Sequence, residues 1–145
     1  MTKPLLAALA LALAAIGPSG TARAETISGR PPIGLWLTED HDGVISIAPC
    51  GPNLCGSIAG QSATGPEPPI AARCGLRILT VAPSRPGIWD GHITNPEDGR
   101  VWNAQIWQDT EGRLHLRGYI GLPLLGATQI WTRYPGRIGA GCRME

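Results

Sequence analysis

Short stretches of alternating apolar and polar residues, separated by turn residues, run through the chain between residues 33 and 134. They are rich in Ile, Val, Leu, Trp, Tyr and Thr, and none keeps a helical period over several turns. The pattern predicts eight short strands, at 33–38, 44–49, 54–60, 76–82, 88–94, 101–108, 113–120 and 128–134. We therefore expect an all-β fold.

Most connections between these strands are tight turns with Gly or Pro, as in Pro52-Asn53 and 95–99. Such hairpins join antiparallel neighbours, and a row of eight strands keeps open edges unless it closes on itself. The predicted fold is therefore an eight-stranded antiparallel up-and-down barrel, with a two-sheet sandwich as the alternative. A long loop at 61–73 and an irregular tail at 135–145 complete the prediction.

The first 24 residues have the layout of a secretory signal peptide. Lys3 gives a positive start, residues 5–16 are apolar, and Ala22-Arg23-Ala24 supplies a cleavage site. The apolar run is shorter than the about 20 residues that span a bilayer, and no cysteine near the cut supports a lipoprotein anchor. We expect an exported, periplasmic or secreted protein that is not transmembrane, with one domain over residues 25–145.

Charge in the predicted mature chain is nearly balanced. The whole sequence has 12 Lys and Arg against 11 Asp and Glu, and loss of Lys3 and Arg23 leaves a formal net charge of −1. This balance gives no electrostatic reason to expect nucleic acid or an anionic membrane as a partner. Since no lysine remains, Schiff-base chemistry and a phosphate-binding P-loop are excluded.

The four cysteines, Cys50, Cys55, Cys74 and Cys142, all lie in the part expected to be exported. An oxidising compartment favours disulfides, and four cysteines allow three pairings. The preferred pairing is Cys50–Cys55, across a hairpin turn, with Cys74–Cys142. Loop entropy assigns about 2 kcal/mol to the short bridge and about 4 kcal/mol to the long one. A metal site is disfavoured because no histidine accompanies these cysteines.

Gly34 and Trp36 stand at the start of the first predicted strand, and Arg133 stands at the end of the last. In a closed barrel these strands are neighbours, so Arg133 is expected to lie over the Trp36 indole in a cation–π contact. Gly34 would permit close packing there. This arrangement resembles the calycin superfamily of lipocalins and fatty-acid-binding proteins.

Three longer segments carry a closer resemblance: GLWLTEDHDGVISIAPCGPNLCGSI, IWDGHITNPEDGRVWNAQIW and LHLRGYIGLPLLGATQIWTR. In order, they resemble domain-of-unknown-function family 2147, a family of exported bacterial proteins. The resemblance covers nearly all of the predicted mature chain, and it implies a calycin-like barrel without an established activity. Loop 61–73 departs from the family pattern, so any role of that loop is expected to be altered or lost here. Trp102 stands where tyrosine is common.

No catalytic residue, metal site or cofactor is predicted. His41, His92 and His115 are scattered without ligand spacing, and the acidic turn at 39–43 lacks the spaced oxygens of a calcium loop. No G-x-S-x-G motif is present. A hydrolase would need His92 or His115 to meet a carboxylate and a nucleophile in one cleft.

Five tryptophans supply most of the large apolar surface, because the chain has no phenylalanine. Strand parity places Trp102 opposite Trp107, and it places Asn103 and Gln105 on the face of Trp107. If that face points inward, these polar groups would orient a ligand. With Tyr119, these four residues are the candidate ligand-binding residues.

The apolar connection 118–126, between the last two strands, has two possible structural interpretations. It is either a portal or contact surface at a barrel end, or a flap that folds down over the core. Our leading hypothesis is a non-enzymatic barrel that binds a small apolar or amphipathic, lipid-like molecule. The alternative is a structural or protein-interaction module of the cell envelope with a filled core.

Overall fold

The computed structural model describes residue 17, residues 26–62 and residues 73–145. Those residues form ten strands and two short 3-10 helices, Pro123–Leu125 and Ala140–Cys142. The strands are β1 (Gly34–Leu37), β2 (Gly43–Cys50), β3 (Asn53–Gln61), β4 (Arg77–Arg85), β5 (Ile88–Thr94), β6 (Val101–Gln108), β7 (Leu114–Tyr119), β8 (Ala127–Arg133), β9 (Ile138–Gly139) and β10 (Arg143–Met144). The predicted signal peptide lies outside the described residues except for Gly17, and most of the predicted loop 61–73 lies outside them too.

Strands β1 to β8 form a closed antiparallel barrel. Each strand pairs with the next one along the chain, and β8 returns to β1 through the pairs Trp36↔Arg133 and Leu37↔Thr132. The predicted eight-stranded up-and-down barrel is therefore confirmed, and the sandwich alternative is wrong. Closure pairs both edges that an open sheet would have exposed.

The C-terminal tail is more ordered than its sequence predicts. Strand β10 pairs with β9 and, in parallel, with β3 at Arg143↔Gln61. The Tyr134 hydroxyl donates a hydrogen bond of 2.8 Å to the carbonyl oxygen of Glu145. The tail is thus held by contacts with distant parts of the chain, and local turn residues do not reveal such contacts.

Two disulfides join Cys50 to Cys55 and Cys74 to Cys142, each with 5.7 Å between the Cα atoms. The preferred pairing is confirmed, and no cysteine is free. The first bridge spans the β2–β3 turn, and the second ties the tail to the start of β4. Two disulfides favour a location outside the cytoplasm.

The up-and-down order sorts the turns between the two ends of the barrel. The closed end comprises segment 31–33 and turns 51–52, 86–87 and 109–113, and the open end comprises turns 38–42, 95–100 and 120–126. Trp36, Trp89 and Trp131 are all buried in the core cluster, with Trp89 and Trp131 on strand segments next to the closed end. The interior is therefore packed with large side chains at one end.

Barrel closure is reinforced at the predicted contact between β1 and β8. The Cζ atom of Arg133 lies 3.9 Å from the centroid of the Trp36 ring, and its Nη1 donates a hydrogen bond to the carbonyl oxygen of Ile33. The Trp36 indole nitrogen donates to the carbonyl oxygen of Pro32 at 2.9 Å. A Cβ on Gly34 would collide with Arg133 Nη1, and the φ of Gly34 is +130°, so glycine is required there.

We predict that Arg133→Ala lowers the free energy of unfolding by about 1–2 kcal/mol, because it removes the cation–π contact with Trp36 and the bond to Ile33. Urea denaturation measures this loss. Arg137→Ala is the matched control, since its side chain is 89% exposed and lies 4.0 Å from its partner Glu145. Equal stability of the two variants would show that the Arg133 contact contributes nothing.

We also predict different stabilities for the two bridges. Replacing Cys74 and Cys142 by serine should cost about 4 kcal/mol and replacing Cys50 and Cys55 about 2 kcal/mol, because the longer bridge restricts the unfolded chain more. Thermal or urea unfolding of the two double variants checks the order. Alkylation followed by intact-mass measurement should find no free thiol in the wild type, and two alkylated cysteines would contradict the pairing.

Candidate ligand-binding site

A cavity of about 460 Å³ opens at the open end of the barrel. Its lining comes from the ends of β4 to β8 and from the β1–β2 and β5–β6 turns, which all meet at this end. Pockets for small molecules typically measure about 300–1,000 Å³. The open half of the barrel thus contains a cavity in this size range, and a smaller cavity of about 260 Å³ lies at the closed end around the 109–113 turn.

The strands contribute four large apolar side chains to the cavity wall, together with the polar Thr94 and Gln129. Ile78, Ile93, Trp102 and Leu116 line the cavity, and Ile93 is the direct cross-strand neighbour of Trp102. Ile93, Trp102 and Leu116 alternate with outward-facing residues, so strand parity points these three inward. Ile78 precedes the buried core residue Leu79, at a register shift between β3 and β4. This wall can take up the apolar part of a ligand by removing it from water.

Small residues on two neighbouring strands leave room for the cavity. Gly118 on β7 pairs with Ala127 on β8, and both line the space. A Cβ placed on Gly118 would meet no described atom within 4 Å. In the closed half, the inward positions of the same strands carry Leu114 and Trp131, which pair with each other. Residue size along β7 and β8 therefore decides which half is filled.

Carboxylates form the rim of the cavity. Asp40 and Asp42 come from the β1–β2 turn, and Glu97 comes from the β5–β6 turn. Asp42 Oδ1 accepts a hydrogen bond of 2.8 Å from the Thr38 hydroxyl. The side chains of Asp40 and Glu97 have no hydrogen bond or ion pair with any other described residue. No arginine or histidine of the described chain lines the cavity.

The residues predicted to bind a ligand are divided between the two faces. Trp102 lines the cavity, whereas Asn103, Gln105, Trp107 and Tyr119 lie on the outer face. Asn103 and Gln105 would orient a ligand only if the face of Trp107 pointed inward. It points outward, because the buried residues between them on β6 occupy the inward positions. Parity correctly separates Trp102 from Trp107, but it does not say which of the two points inward.

Outer-face polar residues bond to one another. Gln105 Nε2 donates a hydrogen bond of 2.8 Å to Asp90 Oδ1 on the neighbouring strand. The Trp107 ring stacks on His115, with centroids 5.1 Å apart. These contacts hold Gln105 and Trp107 on the outer face through neighbouring side chains, so no ligand is needed to explain their positions.

Sequence reasoning missed the acidic rim. It interpreted 39–43 and 95–99 separately, as solvated turns. The available signal was topological, because alternate hairpins of an up-and-down barrel lie at the same end. Combining the barrel prediction with the acidic composition of these two turns would have placed their carboxylates around one mouth.

The apolar connection 120–126 is exposed and does not cover the core. Ile120, Leu122, Leu124 and Leu125 are between 66% and 85% exposed. Arg117 braces this loop from the outer face of β7, since its guanidinium donates hydrogen bonds to the carbonyl oxygens of residues 123 and 124. The geometry therefore supports the interpretation as a portal or contact surface and not the flap over the core.

A buried histidine–carboxylate pair lies at the closed end. His115 Nε2 is 2.8 Å from Asp109 Oδ2, and His115 is 1% exposed. Asp109 Oδ1 also accepts hydrogen bonds of 2.9 Å from the backbone N–H groups of Glu111 and Arg113. Because the His115 ring is buried beneath Trp107, it does not line the smaller closed-end cavity that Asp109 borders, and the ring is not exposed to act as a base there. The pair fastens the β6–β7 hairpin.

Electrostatics at Asp109 favour the ionised form. Burial raises the pKa of Asp109, but hydrogen bonds from His115 and Arg113, together with the charge of Arg113, outweigh that effect and lower it from 3.8 to about 2. The carboxylate therefore stabilises the folded state most strongly when it is charged.

No three His, Cys, Asp or Glu side chains within the described ranges are grouped so that they could hold a metal ion. In the same residues, no helix has the length and apolar character needed to cross a membrane.

Comparisons with known proteins agree with this geometry. The family model described as "Uncharacterized protein conserved in bacteria (DUF2147)" matches residues 34–133. No curated protein sequence matches the chain. Among solved structures, the chain is similar to protein HP1028 of Helicobacter pylori, described as belonging to the lipocalin family. The TM-score is 0.57 and the identity 11%, over 72% of this chain and 83% of that chain. That likeness shows a lipocalin-like fold.

We predict that Asp109 makes stability depend on acid. Because its pKa is lower in the folded state, its contribution is complete above about pH 5, and about 2 kcal/mol is lost progressively as the pH falls from there through 2. Asp109→Asn should lower the unfolding free energy at neutral pH and reduce this acid loss. Urea denaturation across the pH range measures both effects.

Asp98→Asn is the matched control for this experiment. Asp98 also accepts a backbone hydrogen bond in a hairpin turn, from Arg100 at 2.9 Å, but it is exposed. The control should keep the acid profile of the wild type. An unchanged acid profile in Asp109→Asn would contradict the role assigned to the buried carboxylate.

Proposed function

The chain belongs to the DUF2147 family of uncharacterized bacterial proteins, and we propose that its lipocalin-like barrel binds a small apolar or amphipathic, lipid-like molecule. The observation that carries the proposal is the cavity of about 460 Å³ at the open end. A module with a completely filled core would have no such space. The apolar strand walls and the polar rim match the two parts of an amphipathic ligand.

The proposal includes a non-enzymatic role. The groups that line the cavity among the described residues are aliphatic and aromatic side chains, carboxylates, amides and threonine hydroxyls, and no histidine is among them. The one hydroxyl that bonds to a carboxylate in this lining, Thr38 to Asp42, also accepts a hydrogen bond from the backbone N–H of Gly43, as expected for local bonding within a turn. Such a lining supports binding better than group transfer. The likeness to a lipocalin-family protein supports the same role.

We place the protein in the periplasm or outside the cell, as one barrel domain over residues 25–145. Support comes from the two disulfides and from the signal-peptide layout of residues 1–24. The molecules that the protein would encounter in that compartment include lipids and other components of the cell envelope.

One observation favours a second function, a protein-interaction module of the cell envelope. Four aliphatic side chains between Ile120 and Leu125 project into solvent. Single exposed apolar residues are common on protein surfaces, but clusters of them often mark contact surfaces. This function needs no occupied cavity, so a variant that fills the cavity separates the two candidates.

We predict that Gly118→Leu abolishes or greatly weakens ligand binding without destabilising the barrel. The added side chain would occupy the cavity, and a larger residue in place of a strand glycine should keep or raise the melting temperature. Binding should weaken at least about tenfold. Tryptophan fluorescence and calorimetry, with a panel of fatty acids, fatty alcohols and alkyl amines, measure the affinity.

Asn103→Leu is the matched control, because it adds apolar bulk to the outer face of the neighbouring strand. Its affinity should equal that of the wild type. The ligand-binding proposal is wrong if no compound of the panel binds the wild type, or if Gly118→Leu binds as tightly as the control. Either result would favour the interaction module.

A further inference from the structure

Two hairpins face each other across the mouth of the barrel. Around the sheet, β3 and β4 separate the β1–β2 hairpin from the β5–β6 hairpin on one side, and β7 and β8 separate them on the other. Asp40 and Asp42 lie on the first hairpin and Glu97 on the second. Negative charge thus borders the cavity from opposite sides.

No described basic side chain pairs with this charge inside the cavity, although Arg77 and Arg100 lie at the same end of the barrel. The carboxylates of Asp40 and Glu97 have no hydrogen-bond or ion-pair partner among the described residues, and no basic side chain of those residues lines the cavity. The nearby Arg117 is engaged with carbonyl oxygens of loop 120–126 on the outer face. A cleft lined by one sign of charge, with apolar walls, concentrates molecules of the opposite charge.

Trp102 adds a second surface suited to a cation. The indole N–H groups of Trp36 and Trp131 donate to Pro32 and Gln129, whereas Trp102 donates to no described residue. Trp102 is half-buried and lines the cavity beside Ile93. The face of an indole ring attracts ammonium and guanidinium groups, most strongly where water is partly excluded.

Resting on the proposed function, we propose that the ligand is a cationic amphiphile. Its apolar body would lie against Ile93 and Leu116, and its ammonium or guanidinium head would lie at the rim, near Asp40 and Glu97. A fatty acid would bring its carboxylate to the same rim and would be repelled. The charge of the rim therefore selects among molecules that the apolar wall alone would accept equally.

Three probes with one alkyl chain test the charge preference: decyltrimethylammonium, decanol and decanoate. Each is titrated into the whole exported protein below its aggregation concentration, with tryptophan fluorescence and calorimetry as readouts. The ammonium probe should bind about tenfold more tightly than decanol, and decanoate should bind most weakly. Added salt should weaken binding of the ammonium probe and leave decanol unchanged.

Charge-neutralising variants locate the effect. Asp40→Asn and Glu97→Gln should each weaken the ammonium probe about threefold and leave decanol unchanged. Glu111→Gln is the control, because it removes one exposed carboxylate at the closed end, where Glu111 pairs with Arg113 at 3.0 Å. The control should bind all three probes as the wild type does.

The outcomes separate this inference from the proposed function. If decanol or decanoate binds as tightly as the ammonium probe, or if the rim variants behave like Glu111→Gln, the inferred charge preference is wrong, while binding in the cavity stands. If none of the three probes binds, or if Gly118→Leu binds them as the wild type does, the proposed function itself is wrong. Tight ammonium binding that the rim variants and salt both weaken supports the inference.

Discussion

Closure of the barrel between β1 and β8 is the constraint on which the rest of the structure depends. Strand β1 has only four residues, and it meets β8 at two register positions. A strand pairing this short needs additional stability from side chains. Arg133 supplies such contacts, because it stacks over Trp36 and donates a hydrogen bond to the carbonyl oxygen of Ile33. The backbone N–H of Tyr134 extends the seam by donating to Leu35 at 3.0 Å. An open seam would expose two strand edges.

Once the barrel is closed, residue size determines where its interior is empty. The large side chains of Trp36, Trp89 and Trp131 fill the closed half. Gly118 and Ala127 stand at inward positions in the open half, where they leave room. A cavity follows from this gradient along β7 and β8, because Gly118 and Ala127 do not fill the space beside Trp102, Ile93 and Leu116. One barrel thus contains a packed core in its closed half and a cavity in its open half.

Much of this fold could be predicted from the sequence, because strand periodicity, turn residues and cysteine positions are local signals. Which face of β6 points inward could not be predicted, since strand parity shows only that Trp102 and Trp107 lie on opposite faces. Asp109 and His115 meet across a hairpin, and strand β10 of the tail pairs with β3; both depend on tertiary contacts. The acidic rim was hidden for a related reason, because it combines two turns that are far apart in sequence.

The cavity divides its two chemical tasks between two kinds of structure. Its apolar wall belongs to strands, where Ile93 and Leu116 are fixed by the hydrogen-bonded register of the barrel. Its charge belongs to turns, where Asp40 and Glu97 can be replaced without disturbing that register. Loops tolerate substitution better than the elements they connect. Under the proposed function, substitutions in these turns would change the preferred head-group charge while the apolar wall stayed the same.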